Sequence, residues 1–200
     1  MTMLTTLADI KTRLKLQESD VVDDDLLTQF LEMTSARLEN ACNRKFGYVV
    51  GQVDEFEGDE TELRVLRFPI DETGTITFTR TVTAAEGPLD VTDQINWVVR
   101  RGCVISLVSV VGRWKEVLKV TYSGGYLLPG TTALDGTNPP ALPDDVSGAC
   151  IEQVVYLFQN KDRLGVTGMS SGQGSFQQLS KLDLLPSVQA VVDKYERWMP

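Results

Sequence analysis

Apolar residues in this chain change their spacing twice. Leu7, Ile10 and Leu14 fall on one face at helical intervals, and Thr6 precedes them as a cap with Asp9 in the first turn, which predicts a short opening helix. Leu27, Phe30, Leu31, Thr34, Leu38 and Ala41 repeat the helical interval over a longer run. The acidic triplet Asp23-Asp24-Asp25 directly precedes that run, where carboxylates cap a helix and complement its dipole.

From Phe46 to Tyr126 the period falls to two. Leu63-Arg64-Val65, Thr75 to Thr79, Cys103 to Leu107 and Val117 to Tyr122 alternate as strands do, and turn signals at Asp71-Glu72-Thr73-Gly74, Glu86-Gly87-Pro88 and Arg101-Gly102 separate them. This predicts an antiparallel β insertion of five or six strands over residues 46–126. Pro129, Gly130, Gly136, Pro139 and Pro140 then punctuate 127–141, an expected extended connector.

Helical spacing returns at Leu142-Pro143-Asp144-Asp145-Val146, a proline-and-acid helix start, followed by the stripe Val146, Ala149, Cys150, Val154 and Leu157, widened by Tyr156 and Phe158. Residues 165–183 are Gly/Ser-rich, too poor in apolar side chains to order themselves, and are expected to form a flexible loop. Leu185-Pro186-Ser187 opens a last helix carrying Val188, Val191, Val192, Tyr195 and Trp198 on one side. The predicted class is α+β: a mainly helical core of about four helices, built from 1–45 and 142–200, interrupted by the β insertion between the second and third long helical segments.

Composition narrows the function. The chain has 200 residues with 42% hydrophobic, enough for a folded core, and 28 acidic against 19 basic residues give a net charge of −9. A phosphate-neutralising surface is therefore not the global design. Neither a membrane-length apolar run nor a basic-then-apolar leader is present, so no membrane association is expected. Cys42, Cys103 and Cys150 are far apart, with no CxxC spacing, and read as reduced thiols.

There is no histidine, which removes Ser-His-Asp and Cys-His catalysis and histidine metal triads. The glycine pair Gly172-Gln173-Gly174 follows a helix, the wrong context for a phosphate cradle. Acid pairs such as Asp54-Glu55 and Asp59-Glu60 read as solvated charge on strand edges, where they discourage aggregation, rather than as a glycosidase-like pair. No catalytic, cofactor or metal residue is expected. Lys161, Arg163 and Lys181 bracket the Gly/Ser segment and either touch a partner's acids or DNA phosphate, or complement a helix end.

Four stretches carry a resemblance. These are the opening helices with their exit Arg44-Lys45-Phe46; the strand end Val120-Thr121-Tyr122-Ser123-Gly124-Gly125-Tyr126; the helix from Leu142 with its exit Asn160-Lys161-Asp162-Arg163; and Leu184 to Trp198, closing in Tyr195-Glu196-Arg197. In this order they resemble the bacteriophage head-tail connector family, the adaptor or head-completion proteins of long-tailed phages. The resemblance implies a non-enzymatic virion protein at the head-tail interface, assembled in the host cytoplasm into a ring, usually of twelve subunits. It also implies a portal partner on one side, a stopper or tail-completion protein on the other, and non-specific passage of DNA through the channel. Candidate interface residues are Trp198, Tyr195, Arg197, Phe176, Met169, Lys161 and Arg163. A different neck or tail component, or a carboxylate-dependent hydrolase, is the competing reading; helical content near two fifths or more would favour the connector.

Overall fold

The computed structural model describes residues 2–57, 60–81, 87–110, 117–134, 136–163, 169–170, 176–177 and 184–197. The chain divides into two compact units, one of residues 1–42 with 143–196 and the other of residues 43–142 with 197–200.

The first unit is helical. It contains α1 (Leu7–Leu14), α2 (Asp24–Ala41), α3 (Asp144–Gln159) and α4 (Pro186–Tyr195), and α3 packs against each of the other three. The stripes lie where the spacing puts them: Ile10, Leu27, Leu31, Leu38, Val146, Cys150, Val154, Leu157, Val188 and Val192 are buried. Each large aliphatic among them contributes roughly 1.5–3 kcal/mol by leaving water. Thr6 and Asp9 close a reciprocal capping box, the Asp9 amide donating to Thr6 Oγ1 at 3.2 Å and the Thr6 amide to Asp9 Oδ2 at 3.3 Å.

The acidic triplet does something other than cap. Asp23 sits at the N-cap without a side-chain cap bond and instead pairs with Lys161 at 3.2 Å, while Asp24 Oδ1 lies 2.6 Å from the ammonium of Lys11. Lys11 is only 4% exposed and also donates to the carbonyls of Glu18 and Asp20, at 3.2 and 2.7 Å. A buried ammonium is tolerable only when its donors are met, so one lysine ties down the turn between α1 and α2.

The second unit is a pair of antiparallel sheets. Its strands are β1 (Val49–Phe56), β2 (Glu62–Arg64), β3 (Thr77–Thr81), β4 (Pro88–Asp90), β5 (Ile95–Arg100), β6 (Val104–Val110) and β7 (Val117–Gly124). They order as β1-β7-β3-β4 and as β2-β6-β5. Both sheets feed one buried cluster: Phe78, Leu118, Val120 and Tyr122 from the first, Leu63 and Ile105 from the second, with Val65, Ile70, Ile76, Val91 and Ile95.

This corrects the expectation of a mainly helical core. About 36% of the described residues are helical and 28% strand, and the period-two region carries its own buried centre. The reason is physical: each inward-facing residue of alternating strands needs a facing sheet, and here the two sheets of residues 43–142 supply it to each other.

Residues 127–141 have their ends joined, the Leu127 amide donating to the Pro140 carbonyl at 2.8 Å and the Leu142 amide to the Leu127 carbonyl at 3.0 Å. Within 165–183 the description covers only β8 (Met169–Ser170) and β9 (Phe176–Gln177), paired antiparallel; the rest of the expected flexible loop lies outside the described residues.

Candidate assembly surfaces

Two of the stretches that carry the resemblance meet inside the β unit. The Arg44 guanidinium, 2% exposed, lies 3.2 Å from the ring centre of Phe68, 4.5 Å from that of Phe46 and 5.5 Å from that of Tyr126, and it donates to the Phe68 carbonyl. Phe46 and Tyr126 stack with centroids 6.4 Å apart. Four residues before Tyr126, on β7, the Tyr122 hydroxyl donates to Asp54 Oδ2 at 2.8 Å and accepts from the Arg67 amide at 2.9 Å. Burial, foremost, and the nearby Asp54 push the Tyr122 phenol well above its ordinary range, so it stays a donor.

The glycines between them are there for space. A Cβ on Gly124 would sit 2.8 Å from the Pro69 carbonyl oxygen, and one on Gly125, whose φ is +114°, would sit 2.6 Å from the Gly47 carbonyl oxygen. Asp54, weighed as an acid-base residue from sequence, is a structural acceptor for Tyr122 and for the Leu66 amide at 2.6 Å.

The candidate interface residues are distributed unevenly. Tyr195 donates its hydroxyl to Asp145 Oδ1 at 2.8 Å, beside the Lys194–Asp145 pair at 2.5 Å, and so ties the end of α4 to the start of α3. Burial pushes the Asp145 carboxyl up, but the hydrogen bonds from Lys194 and Tyr195 and the Lys194 charge outweigh it, leaving its pKa below the usual range. Lys161 pairs with Asp23 and lies 4.4 Å over the Phe158 ring. Arg197 donates to the Arg64 carbonyl at 3.1 Å. Trp198 and the side chains of Arg163, Met169 and Phe176 lie outside the described residues.

Several cavities open on the described surface, and three of them bear on function. One of about 380 Å³ is lined by residues that include Thr73, Thr75, Thr77, Thr121 and Ser123, beside the Tyr48–Asp71 pair, whose hydroxyl-to-carboxylate distance is 2.8 Å. Hydrogen bonds from Thr73, then from Tyr48, hold the Asp71 carboxyl below its ordinary range, which makes it a poor general base and no general acid. A second, of about 520 Å³, contains two acids, but Asp145 is engaged by Lys194 and Tyr195 and Glu152 accepts from Ser187 at 2.8 Å. Neither arrangement pairs a free acid with a base across a cleft. Among the described residues no group of His, Cys, Asp and Glu is placed to hold a metal ion, and no helix is long and apolar enough to cross a membrane.

The third cavity, of about 340 Å³, is of another kind. Leu63 and Ile105 point into the buried cluster and Trp97 packs on Phe78 at 6.1 Å, so by strand alternation Glu62, Arg64, Val98, Arg100 and Val104 share the opposite, outer face of β2-β6-β5. Arg64 and Arg100 lie in register on either side of Val104. Arg101, from the β5–β6 turn, and Cys103 complete the lining. Glu62 stands 3.7 Å from Arg64 and 4.0 Å from Arg100. This basic spot was not singled out from the sequence, although the alternation in Glu62 to Val65 and in Trp97 to Arg100 contains it.

No family model matches the chain, and no curated protein matches it. Among solved structures, the chain is similar to one from a structure described as the neck of an empty GTA particle computed with C6 symmetry, at 14% identity and a TM-score of 0.57, over 96% of this chain and 89% of that one. At this identity the likeness is one of fold.

Proposed function

We propose that this protein is a structural component of the neck of a phage-like particle, a head-tail connector that assembles into a ring between portal and tail and performs no catalysis. The observation that supports it best is the fold it shares, over nearly its whole length, with a chain from the neck of a GTA (gene transfer agent) particle. That neck was computed with six-fold symmetry, which favours a ring of identical copies here too. In this reading the virion is its location, portal and stopper or tail-completion proteins are its partners, and DNA passes without sequence recognition. A net charge of −9 repeated around a channel would keep DNA phosphates from sticking. Trp198, Arg163, Met169 and Phe176 are assigned to contacts with neighbouring proteins.

A second reading has one observation in its favour. The helical share of about 36% falls just short of the two fifths expected of a connector, and the substantial β unit also suits a stopper or tail-completion protein of the same neck.

The test is the mass of the purified protein by light scattering across concentrations, with and without purified portal. A closed multiple of 22.1 kDa, or recruitment to portal, is the connector outcome. A monomer at every concentration that ignores portal but binds a tail component selects the second reading.

A further inference from the structure

A closed ring needs each copy to carry two different, complementary patches. The 340 Å³ cavity on the outer face of β2-β6-β5 offers one, with Arg64, Arg100 and Arg101 around Val104, Val98 42% exposed beside it, and one carboxylate, Glu62, among its described lining residues. A surface that sets three guanidinium groups beside an exposed valine, Val98, and a half-buried one, Val104, fits a segment carrying both carboxylates and aliphatic side chains. Nucleic-acid backbone supplies the charge but nothing for the valines.

The chain contains such a segment. Between α1 and α2 it presents Glu18, Asp20 and, at the start of α2, Asp25, all exposed, around Val21 and Val22, which are 67% and 88% exposed. The turn is not a slack loop. Lys11, buried at its base, holds the Glu18 and Asp20 carbonyls and the Asp24 carboxylate, and the Asp20 carboxylate accepts from the Val22 amide at 3.4 Å. A buried lysine thus fixes a tip made of two bare valines between acids, a shape that loses little conformational freedom on docking.

We propose that the arginine-lined cavity is the socket for the Glu18–Asp25 turn of a second copy of this chain, and that this head-to-tail contact is what propagates the ring. The proposal rests on the ring reading above. It places Glu18 and Asp20 against Arg64, Arg100 and Arg101, and the two valines over Val98 and Val104. Because the ionic part is solvent-exposed, the contact weakens with salt.

Two full-length variants test it. Arg100→Glu inverts an exposed charge in the socket, and Val22→Asp spoils the tip; neither side chain is in a buried core. Each variant alone, with or without portal, is expected to self-associate at least about tenfold more weakly than the unaltered chain. A 1:1 mixture of the two retains one intact socket and one intact turn, and is expected to form a heterodimer that stops there. Variants that assemble like the parent, or a mixture that stays monomeric, would overturn the socket while leaving the ring reading intact. Loss of DNA binding by Arg100→Glu without loss of assembly would overturn it in favour of a phosphate site. A parent chain that never associates with itself or with portal removes both the socket and the ring.

Discussion

Two arginine environments within the same β unit behave oppositely. Arg44 is caged by three aromatic rings and donates to a backbone carbonyl, with 2% of its surface exposed. Arg100 stands on the outer sheet face with its side chain 62% exposed and the Glu62 carboxylate 4.0 Å away. Arg44 belongs to a stretch that carries a family resemblance, and Arg100 does not. The recognisable stretch marks what the fold requires, whereas the exposed outer face, proposed above as a socket, is written only in the alternation of the strands. If so, changes around Arg44 should be read out as stability, and changes around Arg100 as association.

The largest effect is expected at Gly125. Replacing it with alanine puts a Cβ 2.6 Å from the Gly47 carbonyl oxygen and 2.8 Å from the Tyr48 Cα, in a backbone conformation with positive φ. Strain and overlap together should cost on the order of 2–4 kcal/mol, visible as a lowered denaturant midpoint. A variant as stable as the parent would break the claim that the Ser123-Gly124-Gly125-Tyr126 strand end is held by close backbone approach.

Next comes Tyr122→Phe. Its ring stays in the core, but the half-buried Arg67 amide loses its acceptor and the Asp54 carboxylate loses one donor while keeping the Leu66 amide, a loss of about 1–3 kcal/mol. Urea unfolding checks it. A neutral result would mean that water replaces the hydroxyl and that the hub is looser than its geometry indicates.

These two positions also show what could be read beforehand. The helices were legible because their stripes are long and their caps local: Thr6, Pro143 and Pro186 each stand at the start the sequence points to. Of the seven described strands in residues 43–142, β2, β3, β6 and β7 were legible through Leu63, Phe78, Ile105 and Val120, whereas β1, β4 and β5 were not marked and the expected count of five or six fell short. Their grouping into two facing sheets was not legible, because pairings such as Phe56 with Leu118 and Thr81 with Val117 join residues far apart in the chain. The helical core was overestimated for that reason. The role of Lys11 was hidden too, since a lysine on an amphipathic helix ordinarily reaches water. The outer arginines were overlooked because Arg64, Arg100 and Arg101 become neighbours only once β2 and β5 flank β6.

A smaller effect, with a sign in pH, is expected from Asp71. Its carboxyl is held below the ordinary carboxylate range by Thr73 and Tyr48, so the stability it contributes is present above that range and is lost as pH falls through the lower, folded-state value. The stability difference between the parent and Asp71→Asn should therefore be largest near neutral pH and shrink in acid. Melting temperatures of both proteins from pH 7 down to about 2.5 measure it. A difference independent of pH would mean that the side chain matters for its shape and not its charge.

The smallest effect on stability, and the one that sharpens the contrast most, is Arg100→Ala. Its Glu62 contact is long and solvated, and exposed pairs of this kind contribute about 0–1 kcal/mol at most. The variant should unfold at nearly the same urea concentration as the parent, yet associate measurably more weakly in light scattering, with the deficit fading as salt is raised and the parent's own ionic contacts are screened. Loss of stability comparable to that of Tyr122→Phe would make Arg100 a second structural arginine, and the division between a motif that folds the chain and a face that binds would fail at its simplest point.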